Sequence, residues 1–223
     1  MKRIILMIII FLIVFLIYYF NADKKTYYVS IGDYLSYGID NSEKLGNGYS
    51  DIIKSNYKNN LKNYVNYSST DDYRVMDLIN DINYNKEIKY NNKEYKIQNL
   101  LIKANIITLS IGMNDLIYKK NLDYDYVDSL LGDIDELLKL IRKYNKDDIY
   151  LLGFYDAINN VELIDYTNNK LKKICEKNKV KFIDITNLNN YIITGLYPTK
   201  DGYKYIADNI LNFTKTKKCC IIK

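Results

Sequence analysis

The amino-acid sequence predicts an α/β protein in which a parallel sheet is covered by helices on both faces. Short apolar runs that end at glycine or polar residues alternate with longer stretches whose apolar residues recur at intervals of three and four. The first pattern is typical of buried strands and the second of amphipathic helices, and their alternation favours a parallel sheet. The 223 residues, of which 48% are hydrophobic and 26% charged, suit one globular domain with short appendages.

The strands of this sheet are predicted from short apolar runs along the chain. Several of these runs end at a glycine, at Gly32, Gly112 and Gly153, where the chain can turn towards a following helix. The predicted strands are Tyr27–Ile31, Tyr64–Tyr67, Ile106–Ile111, Ile149–Leu152 and Lys181–Ile185.

Helices are predicted between and after these strands. The clearest pattern runs from Val127 to Ile141, where Val, Leu or Ile recurs at intervals of three and four and forms one apolar face. The predicted helices are Tyr49–Leu61, a segment around Val75–Ile79, Ile97–Ala104, Val127–Ile141, Val161–Asn178 and Asp201–Phe213.

The N-terminal segment has the pattern of a membrane anchor. Lys2 and Arg3 precede an uninterrupted apolar run, Ile4–Phe20, of about 17 residues, which is near the lower limit for a helix that spans a bilayer. The bulky Phe20 stands where a signal-peptidase site needs a small residue. A retained anchor is therefore favoured, and a cleaved signal peptide is the alternative.

The anchor divides the chain and sets its expected location. Residues 1–25 form the predicted anchor and a short link, residues 26–214 form the domain, and residues 215–223 form a basic tail. Because the positive flank of an anchor stays in the cytoplasm, we expect a single-pass protein of the cell membrane with an extracytoplasmic domain. If the segment is cleaved, the protein is secreted.

Composition excludes several classes of function. The chain contains no histidine, so no mechanism with an imidazole base is available to it. The net charge of +5 comes from basic residues scattered among acidic ones, which does not predict a nucleic-acid-binding surface. The three cysteines have no spacing typical of a zinc site or a disulfide framework. We predict neither a metal nor a cofactor.

Polar residues and glycines follow several predicted strands directly. Gly32-Asp33 follows the first strand, Ser68-Ser69 the second, and the segment Gly112 to Asp115 the third. In open parallel sheets, ligands bind just beyond the carboxyl ends of the strands. The sequence therefore places a candidate site at this edge of the sheet.

Three blocks at these positions resemble the SGNH/GDSL hydrolases. Ser30 to Gly38 is similar to the family's first block, Gly-Asp-Ser-Leu, and Ser110 to Leu116 is similar to its Gly-x-Asn-Asp block. Tyr197 to Ala207 resembles its last block, in which Asp-x-x-His-Pro precedes the closing helix. The resemblance covers Tyr27 to Phe213. It implies a three-layer α/β/α sandwich with a flavodoxin-like parallel sheet, here preceded by one transmembrane helix.

The resemblance also implies ester or acyl hydrolysis, and the chain departs from that chemistry at its reactive positions. The family's nucleophilic serine, its histidine base and the aspartate that orients the histidine are replaced by Tyr34, Tyr197 and Thr194. In the family, a further sequence block, the second, contributes a glycine to the oxyanion hole. That glycine has no clear counterpart in this chain, although Ser68 or Ser69 lies nearby. The family residues that remain are Asp33, Gly112, Asn114 and Asp115, with Asn114 in the position of an oxyanion donor.

Other residues take over this chemistry poorly. A phenol titrates near pH 10, so roughly one tyrosine in a thousand is ionised at neutral pH. Ser36 lies two residues beyond Tyr34 and is expected to point elsewhere, with no histidine to activate it. Asp33, Asp115 and Asp201 form a conceivable acidic metal site, but the family places no metal there.

Two hypotheses follow for function. The first is a hydrolase-family protein, catalytically degenerate or using an unrecognised variant of the site. The second is a binding module, in which tyrosines line the same cleft and stack on a ligand. The expected ligands are a small-molecule ester, a glycan or an acylated cell-surface polymer, with the membrane as a further partner through the N-terminal helix and no nucleic acid.

Overall fold

The computed structural model describes residues 7, 9–13, 25–40, 48–69, 72–193 and 195–220, and in residues 214–220 the backbone alone. Of the predicted anchor, Ile4–Phe20, only residues 7 and 9–13 belong to this part, and they are helical and exposed. The rest of that segment lies outside the described residues. Within the described ranges, no helix is both long enough and apolar enough to cross a membrane.

A parallel sheet forms the centre of the domain. Its strand order is β2-β1-β5-β6-β7, which is the flavodoxin-like order, while β3 and β4 form a separate antiparallel hairpin. The predicted parallel sheet is thus confirmed. The strands are β1 (Thr26–Gly32), β2 (Leu61–Ser68), β3 (Glu87–Tyr90), β4 (Lys93–Lys96), β5 (Ile106–Ser110), β6 (Asp148–Leu152) and β7 (Lys181–Ile183).

Helices cover both faces of the sheet and complete a three-layer α/β/α sandwich. In one outer layer α2 packs against α8, and in the other α6 packs against α3, α4 and α7. The helices are α1 (Tyr34–Tyr37), α2 (Tyr49–Asn56), α3 (Val75–Asn83), α4 (Ile97–Lys103), α5 (Met113–Ile117), α6 (Tyr124–Tyr144), α7 (Val161–Lys177) and α8 (Lys200–Cys220).

Burial explains why these segments adopt these structures. Every residue of β1 is buried because β2 and β5 flank it and helices cover both of its faces. The apolar stripe of α6 between Val127 and Ile141 is buried as its spacing predicted. Asp123 caps this helix by accepting a hydrogen bond from the Tyr126 N–H at 2.8 Å.

The predicted boundaries differ from the structure in a few places. The helix predicted to reach Leu61 ends at Asn56, because Leu61 is the first residue of β2. The last strand ends at Ile183, and α8 continues through residues 215–220, which the sequence analysis assigned to a tail.

The hairpin of β3 and β4 was not predicted. Asn91 and Asn92 at its turn both have positive φ angles, of 49° and 60°. This conformation suits a two-residue hairpin turn, in which asparagine is favoured.

The contact between the carboxyl ends of β1 and β5 positions the candidate site. Gly32 has a φ of +136°, and a Cβ atom there would lie 1.7 Å from the Ser110 carbonyl oxygen. The next N–H, that of Asp33, donates to the same oxygen at 2.8 Å. Since the strand order reverses between β1 and β5, this is the switch point where ligands of such sheets bind.

Asp33 is buried at this contact and caps the short helix α1. One carboxylate oxygen, Oδ1, accepts hydrogen bonds from the Ser110 hydroxyl at 2.5 Å and from the Leu35 N–H at 3.1 Å. The other, Oδ2, is buried without a hydrogen-bond partner among the described residues. Burial raises the pKa of Asp33 to about 7, against the lowering effect of the hydrogen bonds.

This raised pKa predicts a pH-dependent stability. Between pH 3.8 and about 7 the folded protein holds a proton on Asp33 that the unfolded chain releases, so the free energy of unfolding falls as pH rises through this window. The total loss is roughly 4 kcal/mol for a shift of about three pKa units. Asp33→Asn keeps an acceptor for Ser110 and Leu35 and has no such proton, so its unfolding free energy should fall much less between pH 4 and 8, as measured by urea denaturation.

The exposed Asp165 provides the matched control. Asp165→Asn should retain the pH dependence of the unmodified protein. Parallel stability curves for Asp33→Asn and the unmodified protein would show that Asp33 is ionised throughout this range.

Candidate functional site

Tyr34 occupies the position of the family's nucleophile and is packed into the protein. Its side chain is only 3% exposed, and its hydroxyl lies 2.5 Å from the hydroxyl of Tyr155. The Tyr155 hydroxyl donates its proton to the Leu196 carbonyl at 2.8 Å. Because Tyr155 has no second proton, Tyr34 must be the donor in the bond between the two phenols. The Tyr34 proton is therefore held in a hydrogen-bond chain.

The surroundings of Tyr34 favour the neutral phenol. Burial raises its pKa well above the ordinary value, and the neighbouring Tyr155 and Asp33 raise it further. Burial also raises the pKa of Tyr155 above its ordinary range. A phenolate at position 34 is strongly disfavoured at neutral pH. The arrangement stabilises a packed side chain and not an activated nucleophile.

Tyr197, in the position of the family's histidine, meets Tyr34 at this edge of the sheet. The two ring centroids are 5.7 Å apart and the ring planes are inclined by 80°, an edge-to-face contact. Tyr197 is half-buried. Thr194, in the position of the family's aspartate, lies outside the described residues. The structure thus brings the first and last blocks together as an aromatic contact.

Gly112 and Asn114 follow the neighbouring strand β5. Gly112 has a φ of +100°, and a Cβ atom there would approach the Phe154 ring to 3.1 Å, so both conformation and space favour glycine. Asn114 is buried, and its amide donates to the Tyr73 carbonyl at 3.1 Å. One of the two N–H donors of the amide that resembles an oxyanion donor is thus engaged by the protein's own backbone.

Asp115 is buried beside the start of α3. Its Oδ2 atom accepts a hydrogen bond from the Val75 N–H at 3.2 Å. Burial raises the pKa of Asp115 to about 6, while the Val75 N–H and the Arg74 guanidinium lower it. Within the described ranges, no group of three or more His, Cys, Asp or Glu side chains is arranged to hold a metal ion.

The two serines considered as functional residues have structural partners. The Ser36 hydroxyl is fully buried, donates to the Ile31 carbonyl at 2.8 Å and lies 2.7 Å from the Tyr49 hydroxyl. It therefore points into the core, away from the edge of the sheet. Ser68 donates to the Asn66 side chain, and the Ser69 N–H donates to the Gly32 carbonyl at 3.0 Å. Ser69 thus joins the second block to the first through its backbone.

Two residues of this edge were missed in the sequence analysis. Tyr155 follows β6 and Gly153. It could have been found in the sequence, because polar residues directly after the other strands were taken to mark the site. Ser110 was placed in the predicted strand Ile106–Ile111 and at the start of the block Ser110 to Leu116 but was given no role, although its hydroxyl donates to the Asp33 carboxylate. No sequence signal pairs Tyr155 with Tyr34, because that pairing depends on the path of the chain after β6.

Comparison with known proteins identifies the fold. No protein-family model matches the sequence, and a search of curated proteins finds no significant match. Solved structures do match over most of their length. A lipase from a goat rumen metagenome has a TM-score of 0.63 and 19% sequence identity, and the match covers 83% of this chain and 95% of the lipase.

Two further structures agree with the first. An acetyl-xylooligosaccharide esterase variant from Geobacillus stearothermophilus has a TM-score of 0.63 and 16% identity, with 84% of this chain and 93% of the esterase covered. A member of the lipolytic G-D-S-L family from Veillonella parvula has a TM-score of 0.58 and 14% identity, with 83% and 96% covered. The parallel strand order, the switch-point site and these matches together show that the chain has the fold of the SGNH/GDSL hydrolases.

Proposed function

We propose that this chain is an SGNH-fold protein that has lost ester hydrolysis and binds its ligand without cleaving it. We further propose that its domain lies on the outer face of the cell membrane. The observation that supports this most strongly is the state of Tyr34. A hydroxyl nucleophile must reach the substrate and pass its proton to a base as it attacks. The Tyr34 hydroxyl is buried, and its proton is donated to Tyr155.

The absence of a histidine base supports the same proposal. The whole sequence contains no histidine, and the residue in the position of the histidine is Tyr197. In a serine protease, loss of the nucleophile or the base costs about a million-fold in rate, and what is left comes from the oxyanion hole and binding. Here the remaining oxyanion candidate is Asn114, and one of its two amide N–H groups already donates to the Tyr73 carbonyl.

The named activities of the structural neighbours suggest the ligand class. They include a lipase, an acetyl-xylooligosaccharide esterase and a phospholipase A1, which act on esters of lipids or sugars. By analogy, we propose an ester, a glycan or an acylated cell-surface polymer as the ligand of this chain. Binding without cleavage is compatible with a fold that keeps its strand-end site but carries phenols at the reactive positions.

The proposed membrane location rests on the N-terminal sequence and on where the domain begins. β1 starts at Thr26, so a helix over Ile4–Phe20 would join the domain at the amino edge of the sheet. The candidate site lies at the opposite, carboxyl edge.

Retention of the N-terminal segment is testable on the protein made in its own membrane. We expect N-terminal sequencing and intact mass to find residues Ile4–Phe20 in the mature chain, because Phe20 blocks a signal-peptidase site. A mature chain beginning at Asp23 would contradict the anchor and leave a secreted protein.

Loss of hydrolysis is testable by restoring the family's reactive residues. The unmodified full-length chain should neither hydrolyse activated esters above background nor be labelled by a fluorophosphonate. Tyr34→Ser, Thr194→Asp and Tyr197→His together replace the buried phenol with a hydroxyl and supply a base and its orienter. This triple variant should gain esterase activity and become labelled at residue 34.

Two controls define the outcome. Adding Asn114→Ala to the triple variant should lower its activity by about 100-fold or more if Asn114 donates to the oxyanion. Tyr34→Phe keeps the ring and removes the hydroxyl, and it should be as inactive as the unmodified chain. Turnover by the unmodified chain that Tyr34→Phe abolishes would show that a tyrosine performs the chemistry.

A further inference from the structure

A pocket of about 510 Å³ lies beside the candidate site, against the edge strand β2. Residues of α1, α2, β2, the loop after β2, α3 and the β3–β4 hairpin line this pocket. It shares Ser68 and Ser69 with the candidate site, but none of Tyr34, Asn114 or Tyr197 lines it. Its volume is within the range of about 300–1,000 Å³ that is usual for small-molecule sites. We call it the β2 pocket.

Tyrosines dominate the wall of the β2 pocket. Tyr64 and Tyr67 of β2 are buried, whereas Tyr37, Tyr73 and Tyr90 are half-buried and keep ring surface exposed. The Tyr64 and Tyr90 rings make an edge-to-face contact with centroids 5.8 Å apart, which joins the hairpin to β2. Such rings provide flat apolar surfaces with a polar hydroxyl at one end.

Hydrogen bonds hold part of this wall in place. The buried Asp81 carboxylate accepts from the Tyr67 hydroxyl at 3.0 Å and from the Tyr73 hydroxyl at 2.7 Å, and Lys86 Nζ lies 3.0 Å from it. Because the Tyr67 and Tyr73 hydroxyls donate their protons to Asp81, their oxygens can only accept further hydrogen bonds. The carboxylate of Asp51 adds another acceptor to the lining. The β2 pocket therefore suits a ligand with several hydroxyl donors.

The charges of the lining select a neutral ligand. Asp51 and Asp81 are balanced by Lys86 and Lys89, so the lining carries no formal net charge. Lys86 is paired with Asp81 and Lys89 with Glu94, which leaves neither as a dedicated phosphate ligand.

We propose that the β2 pocket binds a neutral oligosaccharide, with its apolar sugar faces on Tyr37, Tyr73 and Tyr90 and its hydroxyls directed to Asp51 and the phenol oxygens. This inference rests on the proposed binding function and moves the ligand from the family's cleft to the β2 pocket. It follows from the difference in solvent exposure between the family's cleft and the β2 pocket. The Tyr34 ring is packed against the protein, whereas the rings of the β2 pocket are partly open to solvent.

The test is a binding experiment on the full-length chain in a detergent without a sugar headgroup. The ligands are neutral xylo-, cello- and chito-oligosaccharides of three to five units, with an oligogalacturonate as the charged counterpart, and binding is measured by calorimetry and saturation-transfer NMR. We expect at least one neutral oligosaccharide to bind. Tyr90→Ala and Asp51→Ala should each weaken that binding by about tenfold or more, which corresponds to about 1.4 kcal/mol.

Tyr84 is the matched control, because it is 83% exposed, lies at the end of α3 and is outside the β2 pocket. Tyr84→Ala should leave binding unchanged, and circular dichroism should show that all variants are folded. The proposal is overturned if none of the neutral oligosaccharides binds, if the charged one binds more tightly, or if binding survives both Tyr90→Ala and Asp51→Ala.

The two proposals fail in different ways. Acetate release from an acetylated form of the bound oligosaccharide by the unmodified chain would contradict the loss of hydrolysis and leave the β2 pocket intact. If Tyr90→Ala and Asp51→Ala leave binding unchanged and Tyr197→Ala abolishes it, the ligand binds in the family's cleft and not in the β2 pocket. The proposed loss of hydrolysis would be unaffected by that result.

Discussion

The hydrogen-bond chain from the Tyr34 hydroxyl to the Tyr155 hydroxyl and on to the Leu196 carbonyl links three separate parts of the chain. Tyr34 follows β1, Tyr155 follows β6, and Leu196 lies just before α8. The direction of each bond follows from the single proton on each phenol. At the edge of the sheet where the SGNH fold carries its reactive groups, both phenol protons are therefore held in hydrogen bonds within the protein.

These buried hydrogen bonds make the carboxyl edge of the sheet contribute to the stability of the protein. A buried hydrogen bond adds about 1 kcal/mol to stability, and burial of a large side chain adds about 1.5–3 kcal/mol. Reactive sites usually cost stability, because they keep polar groups exposed or unpaired for substrate. Here Tyr34 and its neighbours act as part of the core, and Asp33 remains buried with one carboxyl oxygen that has no hydrogen-bond partner among the described residues. Open aromatic surface is found instead in the β2 pocket.

The sequence predicted the sheet, its six longer helices and a candidate site at the carboxyl ends of the strands, because these depend on local patterns and on strand ends. Apolar runs that end at glycine marked β1, β5 and β6 correctly. The β3–β4 hairpin was missed because its strands alternate charged and half-buried residues and carry no apolar run. The sequence also left open whether Tyr34 lines a cleft or fills it. That depends on Tyr155, whose approach is set by tertiary packing and not by any spacing.

The protonation state of Tyr34 tests this account most directly. NMR of the protein labelled at tyrosine Cζ, with the Tyr34 resonance assigned by its loss in Tyr34→Phe, follows the titration of this one phenol. Burial and the donated proton predict that the Tyr34 signal stays in its phenol form beyond the ordinary titration near pH 10, for as long as the protein remains folded. A Tyr34 signal that shifts to the phenolate form near neutral pH would contradict the account, because it would reveal an activated oxygen at the position of the nucleophile.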